Sequence, residues 1–279
     1  MSKFLKFFDN NEQRSAYELS EQYVSPYVSA IKGANGGGVE PHYNLSSNVP
    51  PNALCILTLK DNSTVYITGE DVLNNDDMQP YKENVVSAVI TNRCRDISDM
   101  VFQECNQLSS VIMPDSVTSL GEGCFFSCSS LSSVTLSNNI TSLQRNTFMM
   151  CTSLEHISLP NRLNRIGDYS FYSCGLKELI IPEGVTEIGG AAVTTCPNLE
   201  TITFPSSLER VDTYEYLTQC EKLRYIKIIG TRDIFDILRL FEIRETSKLT
   251  VYVDSSLVET YKQHRDDYGN DYNILPLEQ

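Results

Sequence analysis

The chain predicts a solenoid of the α/β repeat type: mostly short parallel strands joined by turns and short helical segments, with a hairpin cap at the start and a helical cap at the end. Three observations carry this. Cys105, Cys128, Cys151, Cys174, Cys196 and Cys220 stand at intervals of 23, 23, 23, 22 and 24 residues, and self-similarity at such a period marks stacked repeats. Apolar residues recur at fixed offsets from each cysteine. Each unit also holds an alternation such as Ser133-Val134-Thr135-Leu136, the period-two signal of a half-buried strand.

The unit can be justified position by position. Leu131, Val134 and Leu136 follow Cys128. Leu154, Ile157 and Leu159 follow Cys151 and end at Pro160. The sets Leu176, Leu179, Ile181 and Leu199, Ile202, Phe204 end at Pro182 and Pro205. Leu108, Val111 and Met113 form an earlier copy, and Leu223, Ile226 and Ile228 a later one. A proline is tolerated where no further ladder donor is needed. Two more columns complete the unit: Leu120, Leu143, Ile166, Ile188 and Val211, then Phe102, Phe125, Phe148, Phe171, Val193 and Leu217, three residues before each cysteine. One unit cannot bury these side chains alone, whereas stacked units share them in a continuous core. Each full burial contributes roughly 1.5–3 kcal/mol.

The string Cys151-x-x-Leu154-x-x-Ile157-x-Leu159-Pro160-x-x-Leu163-x-x-Ile166-x-x-x-x-Phe171-x-x-Cys174 resembles the BspA-like class of leucine-rich repeats. The resemblance spans about residues 85–255. Strand Leu249 to Val253, followed by Ser255-Ser256-x-Val258-Glu259-x-Tyr261-Lys262, resembles the closing segment of the same class and extends the match toward residue 279. The class implies a leucine-rich repeat solenoid, binding rather than catalysis, and for many members display at a surface. Tyr23-Val24-x-Pro26-Tyr27-Val28-Ser29 with His42-Tyr43-Asn44 loosely resembles N-terminal segments of gut-bacterial and phage-encoded proteins.

Four regions follow. Residues 1–48 read as a docking or oligomerisation segment, with a short helix near 10–23, extended chain through Ser29, a glycine-rich turn at 33–38 and a return strand toward Asn44. Residues 49–84 read as a hairpin cap over the first rung, 85–253 as repeats and 254–279 as a C-terminal cap. Ile234, Ile237, Leu238 and Phe241 share one helical face. Ser256 with Glu259 reads as a capping box opening a helix through His264.

Composition narrows the function. With 36 acidic and 22 basic residues the net charge is −14, which opposes a phosphate backbone and argues against nucleic acid. No apolar run is long enough for a membrane span. The opening residues lack a secretory pattern, which predicts synthesis in the cytoplasm, with a virion or the cell surface reached by another route. The sequons at Asn44, Asn62 and Asn139 then read as coincidental. Nine cysteines in a reducing compartment read as buried thiols, not bridges.

No catalytic, cofactor or metal site is expected. The three histidines, His42, His156 and His264, stand at no catalytic spacing. Asp266, Asp267, Asn270 and Asp271 miss the usual calcium-loop pattern and read as a solvated turn.

What remains is the strand face turned from the core, with columns Ser110, Ser133, His156, Glu178, Thr201, Tyr225 and Ile112, Thr135, Ser158, Ile180, Thr203, Lys227. The candidate contact patch is His156, Glu178, Arg224, Tyr225 and Lys227, chosen because aromatic and arginine side chains carry interface energy more often than serine. The expected function is non-catalytic recognition or adhesion toward a protein or glycan. The alternatives are a structural or decorating component of a phage virion, assembled with itself or with virion partners through residues 1–48, and an enzyme of unrecognised type.

Overall fold

A computed structural model describes residues 28–30, 43–45, 49–212, 217–238 and 249–277, the first two stretches as backbone. β1 (Val28–Ala30) and β2 (Tyr43–Leu45) pair antiparallel as a two-stranded ribbon. The helix expected near 10–23 and the end of that on Ile234 to Phe241, residues 239–241, lie outside the described residues; the part described is helix α2, named below.

The main sheet face begins with the hairpin read from the sequence. β3 (Ala53–Leu59) and β4 (Thr64–Thr68) pair antiparallel, with the turn held by Ser63 N donating to Asp61 Oδ1. After β5 (Val72–Leu73) and helix α1 (Asn75–Met78), β6 (Val85–Ile90) pairs antiparallel with β3. Beyond β7 (Asp96–Ile97), β8 (Ser110–Ile112) pairs parallel with β6. After β9 (Ser119–Leu120), β10 (Ser133–Thr135) pairs parallel with β8. This first sheet has the order β10-β8-β6-β3-β4.

The second main sheet starts later. β11 (Ser142–Leu143) and β12 (Arg165–Ile166) precede β13 (Glu178–Ile180). β14 (Glu187–Ile188) and β16 (Arg210–Val211) alternate with β15 (Thr201–Phe204) and β17 (Tyr225–Ile228). Helix α2 (Phe235–Leu238), β18 (Thr250–Val253), α3 (Val258–Asp267) and β19 (Asn273–Pro276) close the chain. The order is β13-β15-β17-β18-β19, all parallel, so the sheet runs on through Pro276. The short strands form two narrow parallel sheets, β5-β7-β9 and β11-β12-β14-β16.

The repeat columns stack as the period requires. Phe102, Phe125, Phe148 and Phe171 lie one above another, with ring centroids 5.3, 5.3 and 5.7 Å apart and planes within 7° of parallel. All nine cysteines are buried free thiols. Cys128 Sγ donates to Phe102 O at 2.9 Å, Cys151 Sγ to Phe125 O at 3.2 Å and Cys174 Sγ to Phe148 O at 3.2 Å. Each of these three thiols thus bonds a carbonyl of the unit before its own, which a small apolar side chain without a donor cannot do. Burial pushes the thiols of Cys94 and Cys105 up to about 11 and 12 and raises those of Cys124 and Cys128 too. They therefore pack as small hydrophobes and are poor nucleophiles.

Three expectations need correction. The unit at Glu155 to Leu159 is not a strand. Lys177 N still donates to Glu155 O, but no ladder joins this unit to β10, and the main face is split there. The split coincides with the 22-residue interval: Cys174-Gly175-Leu176 lacks one residue of the usual turn, and Gly175 lies against the Thr152 carbonyl, only 2.2 Å from where a Cβ would stand. The core thins at the same place. Val111 and Leu179 are fully buried, whereas Val134 and Ile157 in the same column are half-buried.

The second correction concerns the C-terminal helix, which is entered through a 3-10 turn at Ser255–Leu257 capped by Asp254, not Ser256. Asp254 Oδ1 accepts from both Ser256 N and Ser256 Oγ, since a carboxylate takes both donors while a hydroxyl at Ser256 offers its own proton. The third is that the strand columns are not uniformly exposed: Ser110 and Ile112 are buried.

Candidate functional site: the outer strand face

In a strand, alternate residues face opposite sides, so one set lines the core and the other the outer face. The register gives two outer rows. In the first sheet they are Thr58, Ser87, Ser110, Ser133 and Tyr66, Ile56, Val89, Ile112, Thr135. In the second they are Glu178, Thr201, Tyr225, Thr250, Asn273 and Ile180, Thr203, Lys227, Tyr252, Leu275.

The second sheet presents an open patch. Tyr225, Ile180 and Leu275 are 43%, 36% and 46% exposed. Tyr225 and Tyr252 are diagonal neighbours with ring centroids 6.1 Å apart and planes tilted by 48°, within the spacing at which aromatic pairs interact favourably. Half-buried Lys227 lies opposite Tyr252, and Glu178 begins the row that Thr201 and Tyr225 continue. The patch is therefore aromatic at its centre and aliphatic at its two edge strands, with charges of both signs beside it.

Of the five residues expected to form the contact, Glu178, Tyr225 and Lys227 share this face. Arg224 precedes the strand, and its Nη1 donates to the Glu221 and Leu223 carbonyls at 3.2 and 2.8 Å; it fastens its own turn. His156 is exposed but sits on the non-strand unit at the split, with two strands, β13 and β15, between it and β17. The sequence reading missed Tyr252 and Leu275. Thr250-Val251-Tyr252-Val253 shows the alternation that puts Tyr252 in the Lys227 row, but without the repeat period it was assigned to closing the chain, not to the face.

The described residues show no grouping of three histidine, cysteine, aspartate or glutamate side chains suited to a metal. His264 Nε2 lies 3.0 Å from Asp233 Oδ2 and its ring stacks on Phe235 at 4.7 Å. Tyr261 Oη accepts from Ile234 N at 3.1 Å. These contacts tie α3 to α2 and close the end of the core. Among the described residues no helix is long and apolar enough to cross a membrane.

The stacked units, with their parallel strands and cysteine and leucine columns, define a leucine-rich repeat solenoid. A family model for the BspA type leucine rich repeat region matches in six copies over residues 80–192 and 147–237. The chain belongs to this family. Among solved structures it is similar to a leucine-rich repeat protein of T. pallidum, at 18% identity and TM-score 0.52, covering 81% of this chain and 99% of that one. It is also similar to one from Bacteroides ovatus, at 25% identity and TM-score 0.47, covering 82% and 49%. A leucine rich cell surface protein of Faecalibacterium prausnitzii is 31% identical, with TM-score 0.40, over 55% of this chain and 34% of that one. The chain thus spans about half and a third of the last two proteins. No curated protein matches it.

Proposed function

We propose that the protein is a non-catalytic recognition module that holds a protein partner on the open outer face of its second sheet. The observation that carries this reading is the run of exposed Tyr225, half-buried Lys227 and Tyr252 and exposed Leu275 on the adjacent strands β17, β18 and β19, with exposed Ile180 on the far edge strand β13. Rigid strands fix these side chains in advance, so little conformational freedom is lost on binding. Tyrosine gives large contact area with few rotatable bonds. The aliphatic Ile180 and Leu275 favour a protein over a glycan, since neither offers a hydrogen bond to a sugar hydroxyl. Leucine-rich repeat families generally serve recognition, and adhesion or surface recognition is the role this patch fits.

An array of proteins and glycans probed with the full chain and with a Tyr225→Ala/Leu275→Ala variant tests this. The expected result is binding to protein features that falls about tenfold or more in the variant. An unchanged profile, or binding confined to glycans, overturns it.

A further inference from the structure

The first sheet carries a second apolar surface that the repeat core does not use. Ile56, Val89 and Ile112 are neighbours in one row, on the face opposite Leu57, Ala88 and Val111. They are 2%, 5% and 5% exposed, yet none of them belongs to the core cluster or to the half-buried residues packed against it. Ser87 and Ser110 in the adjoining row are buried as well. Thr135, the next residue along the row from Ile112, is exposed. Flanking strands account for only part of this. In the corresponding row of the second sheet Ile180 and Leu275 lie on the edge strands and are open, and of the residues on inner strands Thr203 is buried while Lys227 and Tyr252 are half-buried. In the first sheet all three inner positions are closed off.

The β1–β2 ribbon has the complementary property. Its register pairs Val28 with Leu45, Ser29 with Asn44 and Ala30 with Tyr43. Directly opposed residues of an antiparallel pair share a face and the face alternates along each strand. Val28, Ala30, Tyr43 and Leu45 therefore occupy positions on one face, and Ser29 and Asn44 on the other. A two-stranded ribbon by itself is marginally stable at best in water, and an apolar face of this kind needs a surface. Reach is sufficient. Seven residues lie between Leu45 and Ala53 at the start of β3, and extended chain covers about 3.3–3.6 Å per residue. The row from β3 to β8 is only two strand spacings wide, about 10 Å.

We propose that the β1–β2 ribbon docks its Val28–Ala30–Tyr43–Leu45 face on the Ile56–Val89–Ile112 row, closing the N-terminal half of the outer strand face with the protein's own chain. The segment then acts as a built-in cover: partners are directed to the second sheet because the first is already occupied. This is independent of what the second sheet binds.

Thiol labelling of the full chain tests it. The native cysteines are buried, so an Ile112→Cys variant reports the covered row and a Thr135→Cys variant the next, open position. Both place a small, weakly polar side chain on one strand face, which the fold tolerates. A maleimide reagent should label Ile112→Cys at least tenfold more slowly than Thr135→Cys. Adding Tyr43→Ser and Leu45→Ser should remove most of that protection. Equal labelling of the two sites, or protection that persists after the ribbon substitutions, overturns the proposal. Protection that rises with protein concentration also overturns it, in favour of a second copy as the cover.

Discussion

Ile112 and Ile180 occupy the same row of the strand face, yet one is 5% exposed and the other 36%. The two sheets share a repeat, a core and a strand direction through β8 and β10 and all of β13 to β19, but not an outer surface. The first has a buried apolar row outside the core; the second is aromatic and mixed in charge, open at Ile180, Tyr225 and Leu275 although Thr203 and Thr250 between them are buried. The seam between them lies at Glu155 to Leu159, where the ladder fails and Val134 and Ile157 are only half-buried. A repeat protein can thus be uniform inside and divided outside, because the core column and the outer column on one strand answer to different neighbours.

The largest expected effect tests whether the seam matters. Phe148 continues the phenylalanine stack past the seam, touching Phe125 and Phe171. Phe148→Ala should cost about 3–5 kcal/mol. Because repeat stability is a sum of unit and nearest-neighbour terms, denaturant unfolding followed by circular dichroism should then separate into two transitions. A single sharp transition in that variant would show that the halves remain coupled without the stack.

Next in size is the contrast between the two outer rows. Ile112→Ala should destabilise by about 2–4 kcal/mol as a buried side chain is lost, and Ile180→Ala by no more than about 0.5–1 kcal/mol as a surface change. Equal losses would erase the distinction between covered and open halves. Gly175→Ala tests the shortened turn at the seam. The added methyl would meet the Thr152 carbonyl, and overpacking of this kind costs about 1–3 kcal/mol. A neutral result would mean that the turn has room to give.

The thiol column runs through both halves. Burial holds the thiols of Cys94 and Cys105 above the value of a free cysteine. A group whose folded pKa is raised contributes stability in full below its unfolded value and loses it as pH rises toward the folded one. The denaturant midpoint should therefore fall between about pH 9 and pH 12, through thiolates formed in the unfolded chain. A flat midpoint over that window would contradict the burial of these side chains. Smallest of all, Ser133→Ala should shift stability by no more than about 0.5 kcal/mol.

The inward-facing design was legible in the sequence, because Phe102, Phe125, Phe148 and Phe171 must repeat if they are to stack, and a repeat leaves a period. The pairing of Ser110 with Ser133, and of Glu178 with Thr201 and Tyr225, followed from the same spacing. The outer face was not legible to the same degree. Nothing periodic marks what covers Ile112, since the cover is not itself a repeat. Tyr252 and Leu275 escaped because the chain between β17 and β18 is not a repeat unit, although the strands beyond it rejoin the sheet. Arg224 stands apart from the other expected contacts because its Nη1 donates to carbonyls of its own turn, an arrangement no periodicity announces. The alternative of a virion component finds no relative among the proteins named here.

In the four units of Cys128, Cys151, Cys174 and Cys196 the thiol finds its acceptor in the unit before, and the unit's own phenylalanine carbonyl, or the matching one, stands ready for the next. A copy inserted between two others would bring one donor and one acceptor and leave none stranded. Such a chain can lengthen or shorten by whole turns over evolutionary time, retuning the extent of its gripping surface while the interior chemistry stays balanced.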